Sequence, residues 1–204
     1  MPRPRSLSPQ RLASAALAVI DRDGLAGLSM RAVATELGMS TMALYRYVRD
    51  RDELEGLVVD LVYAEVDSAP PPDGPWQAKI ETMALRLRDA FGAHASVLPL
   101  TFAHRHSSEG LLRWGEGVAG VLAEAGLSGR SRAVALRAVL AYAAGAVQQE
   151  HLAALSGEGT ATIAALPHDS YPHLTETARH ARDIPPDEEF RNGLTALLHG
   201  LKAS

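Results

Sequence analysis

Along almost all of its 204 residues the chain repeats its apolar side chains every three or four positions, and no run alternates in the period-two manner of a half-buried strand. The expected fold class is therefore all-α. At 47% hydrophobic and 22% charged the composition is that of a globular protein, and a chain of this length can bury roughly 70% of its unfolded surface. With no cysteine, disulfides, cysteine-ligated zinc, iron–sulfur clusters and thiol nucleophiles are excluded, so packing must hold the fold together. Arg, Glu, Gln or His interrupts each apolar stretch before the ~18 residues that a membrane span requires. The opening MPRPRSLSPQRL lacks an uninterrupted apolar signal region. The expectation is a cytoplasmic protein with no membrane partner.

Caps and stripes divide the N-terminal quarter into four helices. Ser8 followed by Pro9 is a helix start, and Leu12, Ala16, Val19 and Ile20 form one stripe until Gly24 stops it. Ser29 caps a short second helix with Val33, Ala34 and Leu37 inward, and Gly38 follows as the residue able to turn the chain left-handed. Ser40 caps a third helix expected over residues 41–49, with Leu44, Tyr47 and Val48 on its buried side by a 100° count. Asp50 with Glu53 three places on forms a capping box for a fourth helix over 50–66, striped by Leu54, Leu57, Val58, Leu61 and Val62.

Three consecutive prolines in Ser68-Ala-Pro-Pro-Pro-Asp-Gly-Pro75 are the strongest breaker, and they place a boundary there. Two domains follow from it, residues 1–66 and 67–204. In the second, helical spacing predicts helices near 76–95, 98–104, 109–125, 132–155, 173–182 and 187–201. The Gly-, Thr-, Pro- and His-rich stretch 156–172 reads as a mobile loop with one helical turn.

The net charge of −4 conceals a division along the chain. Residues 1–51 carry eight Arg against Asp21, Asp23, Glu36 and Asp50, a surplus of +4, while the remainder stands at −8. The N-terminal quarter is thus the part suited to phosphate, the more so because 18 of the 20 basic residues are Arg, whose planar fork fits phosphate and guanine. Two short helices joined through Gly38-Met39-Ser40 have the spacing of a helix-turn-helix. On the third helix the directions opposite Leu44 and Val48 belong to Met42, Arg46 and Arg49, flanked by Ala43 and Tyr45. No acid lies among them.

The segment LSMRAVATELGMSTMALYRYVRDRDELEGLV resembles the N-terminal domain of TetR-type transcriptional regulators, the tetracycline-repressor-like family. The matching motif covers residues 8–62, and the rest matches in being helical. The resemblance implies a homodimer that binds a palindromic double-stranded DNA operator through the third helix and is a repressor released by a small organic effector. It implies neither a cofactor nor catalysis. Carried across by position, Arg31, Thr41, Met42 and Ala43 fall where the family touches bases. Ser29 or Met30, Tyr45 and Arg51 fall where it touches phosphates, with Ser40 as the cap between. Thr41, Met42 and Ala43 suit thymine methyls better than bidentate hydrogen bonds, so Arg31 and Arg46 are the expected guanine readers. The arm Arg3-Pro4-Arg5 is placed along the minor groove.

An effector pocket in such a regulator lies between helices and is mostly apolar. Phe91, His94, Phe102, His104, Trp114, Tyr142 and Gln148 are the candidates, combining aromatic surface with hydrogen-bonding tips. The small residues of AVALRAVLAYAAGAV, within 132–155, let two helices approach closely, and Phe190, Leu194, Leu197, Leu198 and Leu201 stripe the last helix. In the family the corresponding pair forms the dimer interface. No metal site is expected, because His104 and His106 lie on different helix faces and His168 and His173 have no carboxylate at ligand spacing. HExxH, GxSxG and GxxxxGK motifs are absent. On the residues alone a second reading stays open, a helical small-molecule carrier or enzyme whose N-terminal helices mediate protein contacts.

Overall fold

The computed structural model describes residues 7–201, and among them every regular element is helical. The helices are α1 (Pro9–Asp23), α2 (Met30–Glu36), α3 (Thr41–Leu44), α4 (Arg51–Tyr63), α5 (Trp76–Gly92), α6 (Leu98–Ala103), α7 (Glu109–Glu124), α8 (Gly129–Ala153), α9 (Glu158–Ala164), α10 (Pro172–Ala181) and α11 (Pro186–Gly200). Two 3₁₀ turns, Leu25–Gly27 and Ala95–Val97, complete the order. The Arg3-Pro4-Arg5 arm lies outside the described residues.

Each N-terminal helix starts where its cap predicts. The hydroxyls of Ser8, Ser29 and Ser40 accept from the amides of Arg11, Ala32 and Ala43, and the Asp50 carboxylate accepts from Glu53. The second half of the capping box reaches one residue further than the sequence suggests, for Glu53 accepts the amide of Arg49 at 2.8 Å. Gly38, at φ +66°, ends α2. Its amide bonds back to Thr35 and that of Met39 to Ala34, the paired bonds of a Schellman turn.

The chain divides into two compact units. The first runs to Ala69 and takes in Asp89–Gly117. Its core is the stripe of α1 (Leu12, Ala16, Val19, Ile20) with Val33 and Ala34, Leu44 and Val48, and Leu54, Val58 and Val62 of α4, all at most 2% exposed. There α4 packs against both α1 and α6. Tyr63 at the end of α4 meets the Phe91 ring edge-on at 5.1 Å, and α7 approaches so closely that a Cβ on Gly110 would collide with Tyr63. The second unit comprises Pro70–Arg88 and the chain from Val118 onward. In it α8 packs on α11, and α9 on α10. Arg88 ties three of its segments together, reaching Glu150 at 3.0 Å and Asp187 at 3.1 Å and lying over the Phe190 ring.

Three expectations change. The third helix ends at Leu44 rather than 49, and residues 45–47 form a turn. The helical count that put Tyr47 inside therefore fails, and Tyr47 is 42% exposed while Val48 takes the buried position. The expected loop 156–172 contains a seven-residue helix, α9. None of its residues is fully buried, so the sequence carries no strong stripe, and packing on α10 supplies the order. Finally, α8 starts at Gly129, three residues before the expected Arg132, under a Ser128–Ser131 capping box.

The close approach of α7 to α4 predicts that Gly110→Ala lowers stability by about 1–3 kcal/mol through overpacking against Tyr63. Met39→Ala is half-buried beyond the turn and serves as the mild reference. Urea unfolding of both variants checks the difference.

Candidate nucleic-acid interface and effector residues

The fully buried anchors of the segment after the turn are Leu44, at the end of the short α3, and Val48 beyond it, and the outward side that holds Met42 stays in solvent. Met42 is 78% exposed and Tyr45 48%. Arg46 is exposed, Thr41 and Ala43 are half-buried, and Ser29 and Arg31 at the start of α2 are exposed. All of the sequence-predicted reading residues belong to one unit and are carried on or next to α2 and α3, with Arg51 at the start of α4. The cap hydroxyls of Ser29 and Ser40 accept an amide hydrogen and keep their own proton to donate.

Ion pairing sorts the arginines of this region. Arg22 is held by Glu36 at 2.8 Å and Asp23 at 3.0 Å, which raises its already high pKa further. Arg49 pairs with Glu53 at 3.0 Å and Arg51 with Glu55 at 2.6 Å. Arg31 and Arg46 make no ion pair with any described residue. These two guanidiniums beside α2 and α3, and Arg11 on α1, are thus free to meet an anion, and Arg51, expected at a phosphate, already has a carboxylate partner. A cleft of about 360 Å³ lies beside Arg31, lined also by Arg22, Ser29, Thr35 and Glu36.

The expected effector residues are not gathered in one place. Phe91 and Trp114 are fully buried in the first unit. His94 is half-buried, its Nδ1 3.0 Å from the Asp21 carboxylate. Phe102 is 46% exposed, because the buried side of α6 is taken by Leu98, Leu100 and Thr101. It lies at the surface, and so does Gln148 on α8, against the expectation of enclosure. In the second unit the Tyr142 hydroxyl donates to the Phe190 carbonyl at 2.9 Å, and burial raises its pKa, Glu189 adding to the effect. A cleft of about 280 Å³ there is lined by Ala141, Tyr142, Gly145, Ala146, Gln149 and Glu189.

His104 is the surprise. It is buried at the end of α6 beside the first turn of α4, where its Nε2 lies 3.6 Å from Glu55 and 4.0 Å from Asp52. Spacing along the chain could not reveal this, since about fifty residues separate the imidazole from the carboxylates.

Residues 12–54 match the pattern described as "Bacterial regulatory proteins, tetR family", and residues 69–204 the one described as "Tetracyclin repressor-like, C-terminal domain". The chain belongs to the tetR family. It is 30% identical to the tetracycline repressor protein class D of Escherichia coli over 208 aligned positions, covering 96% of this chain and 89% of that one. It is 42% identical to the HTH-type transcriptional repressor DrrR1 of Streptomyces coeruleorubidus, over 48% of this chain and 36% of that protein. Among solved structures, the TetR family protein ActR of Streptomyces coelicolor in complex with actinorhodin superposes with a TM-score of 0.80 at 26% identity, covering 97% and 96% of the two chains. The protein is thus a ligand-responsive, DNA-binding transcriptional regulator with a helix-turn-helix. No helix among the described residues is long and apolar enough to cross a membrane.

The Glu53 carboxylate is held below the usual glutamate range by the Arg49 amide first and then by the Arg49 guanidinium. A depressed carboxylate contributes stability that is fully present above its ordinary pKa of 4.5 and lost as pH falls through the depressed value. The Tm gap between wild type and Glu53→Gln is therefore expected to be full well above the ordinary glutamate value and to close as pH falls below it, which a thermal unfolding series in acid measures.

Proposed function

We propose that the protein is a cytoplasmic, homodimeric repressor, without catalytic activity, that binds a palindromic operator through α2 and α3 and leaves it when a small organic effector binds in the helical domain beyond residue 66. The observation that carries the reading face is the coincidence of unpaired Arg31 and Arg46 with the 78% exposed Met42 on a helix of four residues. A core has no use for such a surface, whereas a duplex groove offers guanine acceptors to the guanidiniums and thymine methyls to the thioether. Ser29, Ser40 and Tyr45 then supply neutral donors to phosphate, with Thr41 and Ala43 against the bases and Arg51 at the flank, where a phosphate must compete with Glu55.

The dimer reading is supported by α8. Phe190, Leu194 and Leu198 of α11 are already buried within the chain, but α8 leaves Val134 at 61% and Leu152 at 70% exposure, with Ala141 and Gly145 between them at helical spacing. Apolar ends around a small-residue centre suit a second helix of the same kind, and a two-fold pair would set two reading heads about 34 Å or a multiple apart. An effector that prefers the dimer with the wrong spacing weakens operator binding by its differential affinity. That ActR has been crystallised with actinorhodin supports an effector for this chain as well.

Footprinting on DNA flanking the protein's own gene identifies the site, and Arg46→Ala is then expected to weaken specific binding about tenfold or more while shallowing the dependence on salt. Undiminished affinity would remove Arg46 from the face. A Cβ on Gly145 meets open space, so Gly145→Arg folds as a chain. It should halve the mass seen by light scattering, and an unchanged mass would place the dimer contact elsewhere.

A further inference from the structure

We propose that Asp52, Glu55 and His104 form a site for a divalent metal ion of the zinc class, pinning the first turn of α4 to the end of α6. The imidazole decides it. Among the described residues, His104 Nε2 is the buried side-chain polar atom left without a hydrogen-bond partner, on a side chain only 6% exposed. A buried polar nitrogen is costly unless something satisfies it. What it faces is a pair of carboxylates, at 3.6 Å from Glu55 Oε2 and 4.0 Å from Asp52 Oδ1. Both distances exceed those of an N–H···O bond, about 2.7–3.2 Å, so the three groups converge without bonding to one another.

Ligands sharing an ion behave in that way. Zinc–nitrogen and zinc–oxygen bonds of about 2.0–2.2 Å set tetrahedral ligand atoms about 3.4 Å apart, and the three atoms here all lie within 4.8 Å of one another, so a modest contraction completes the set. One imidazole and two carboxylates favour zinc and its neighbours over magnesium or calcium, which take oxygen alone. The fourth position opens on a cleft of about 220 Å³ lined by Asp60, Ser107 and Ser108 as well, where Ser108 donates to Asp60 at 2.7 Å. Water could reach the ion from that side. The neighbouring cations do not compete for the ligand atoms: Arg49 is bonded to Glu53, and Arg51 holds the other oxygen of Glu55. Asp52 projects from the surface at 88% exposure, so it can close over an arriving ion without repacking.

The ion would join α4, the helix that leads on from the reading head, to the C-terminal end of α6. Occupancy would then hold α4 at one tilt against α6, a constraint separate from any organic effector.

The full-length protein, freed of metal by chelator, is titrated with zinc alone by calorimetry and with cobalt(II) by visible absorption. One ion per chain, bound at micromolar concentration or tighter, with a cobalt ligand-field band indicating nitrogen and oxygen donors, is expected. Asp52→Asn and Glu55→Gln should each weaken binding about tenfold or more, and His104→Ala should abolish it. Asp52 is too exposed for its substitution to endanger folding, and thermal unfolding without metal verifies that for each variant. Failure of the wild type to take up zinc below about 1 mM, or uptake unchanged in both Asp52→Asn and Glu55→Gln, would overturn the assignment.

Discussion

The N-terminal unit depends on α3 being held by very little. Two fully buried side chains, Leu44 and Val48, anchor the segment after the turn, Thr41 and Ala43 are half-buried, and Met42 is left for the outside. A longer or more amphipathic helix would bury a wider stripe and lose outward positions. The left-handed Gly38 makes this arrangement possible, because it ends α2 with both orphan carbonyls satisfied and lets the Ser40 cap begin α3 two residues later. The core of α1 and α4 beneath is tightly closed, so the anchoring pair sits on a rigid base.

Charge adds a second layer of selection. The N-terminal quarter is rich in arginine, but half of those side chains within the described residues are neutralised in place: Arg22 by Glu36 and Asp23, Arg49 by Glu53, Arg51 by Glu55. Exposed pairs of this kind contribute little to stability, because water and salt screen them. Their consequence is positional. They thin a diffuse positive field to Arg11 on α1 and to Arg31 and Arg46, and the last two are the guanidiniums carried beside α2 and α3.

How far the sequence could be read depended on whether a feature is local. Ser8, Ser29, Ser40 and Asp50 announced their helices correctly because a cap acts across three residues, and the stripe of α1 is buried as its spacing demands, while in α4 Leu54, Val58 and Val62 are buried and Leu57 and Leu61 only half-buried. Tyr47 was misplaced because the helical count assumes the helix continues, whereas α3 stops at Leu44 and a turn carries the chain on to the Asp50 cap. The helix α9 escaped notice because its stabilising partner is α10, not its own residues. Phe102 and Gln148 carry the right chemistry for a pocket, but no pattern in one dimension told which way they would face.

By itself, then, the order of residues determined the helical class, the punctuation of the first four helices, the turn at Gly38 and the arginine-rich quarter, since periodicity, capping and backbone freedom all act within a few positions. Tertiary structure alone decided that Arg22 reaches Glu36, which aromatic rings are enclosed, and that His104 comes to rest against Asp52 and Glu55. Those outcomes belong to groups distant along the chain, and only the packing of α4 against α6 and of the other helices in each unit brings such groups within reach.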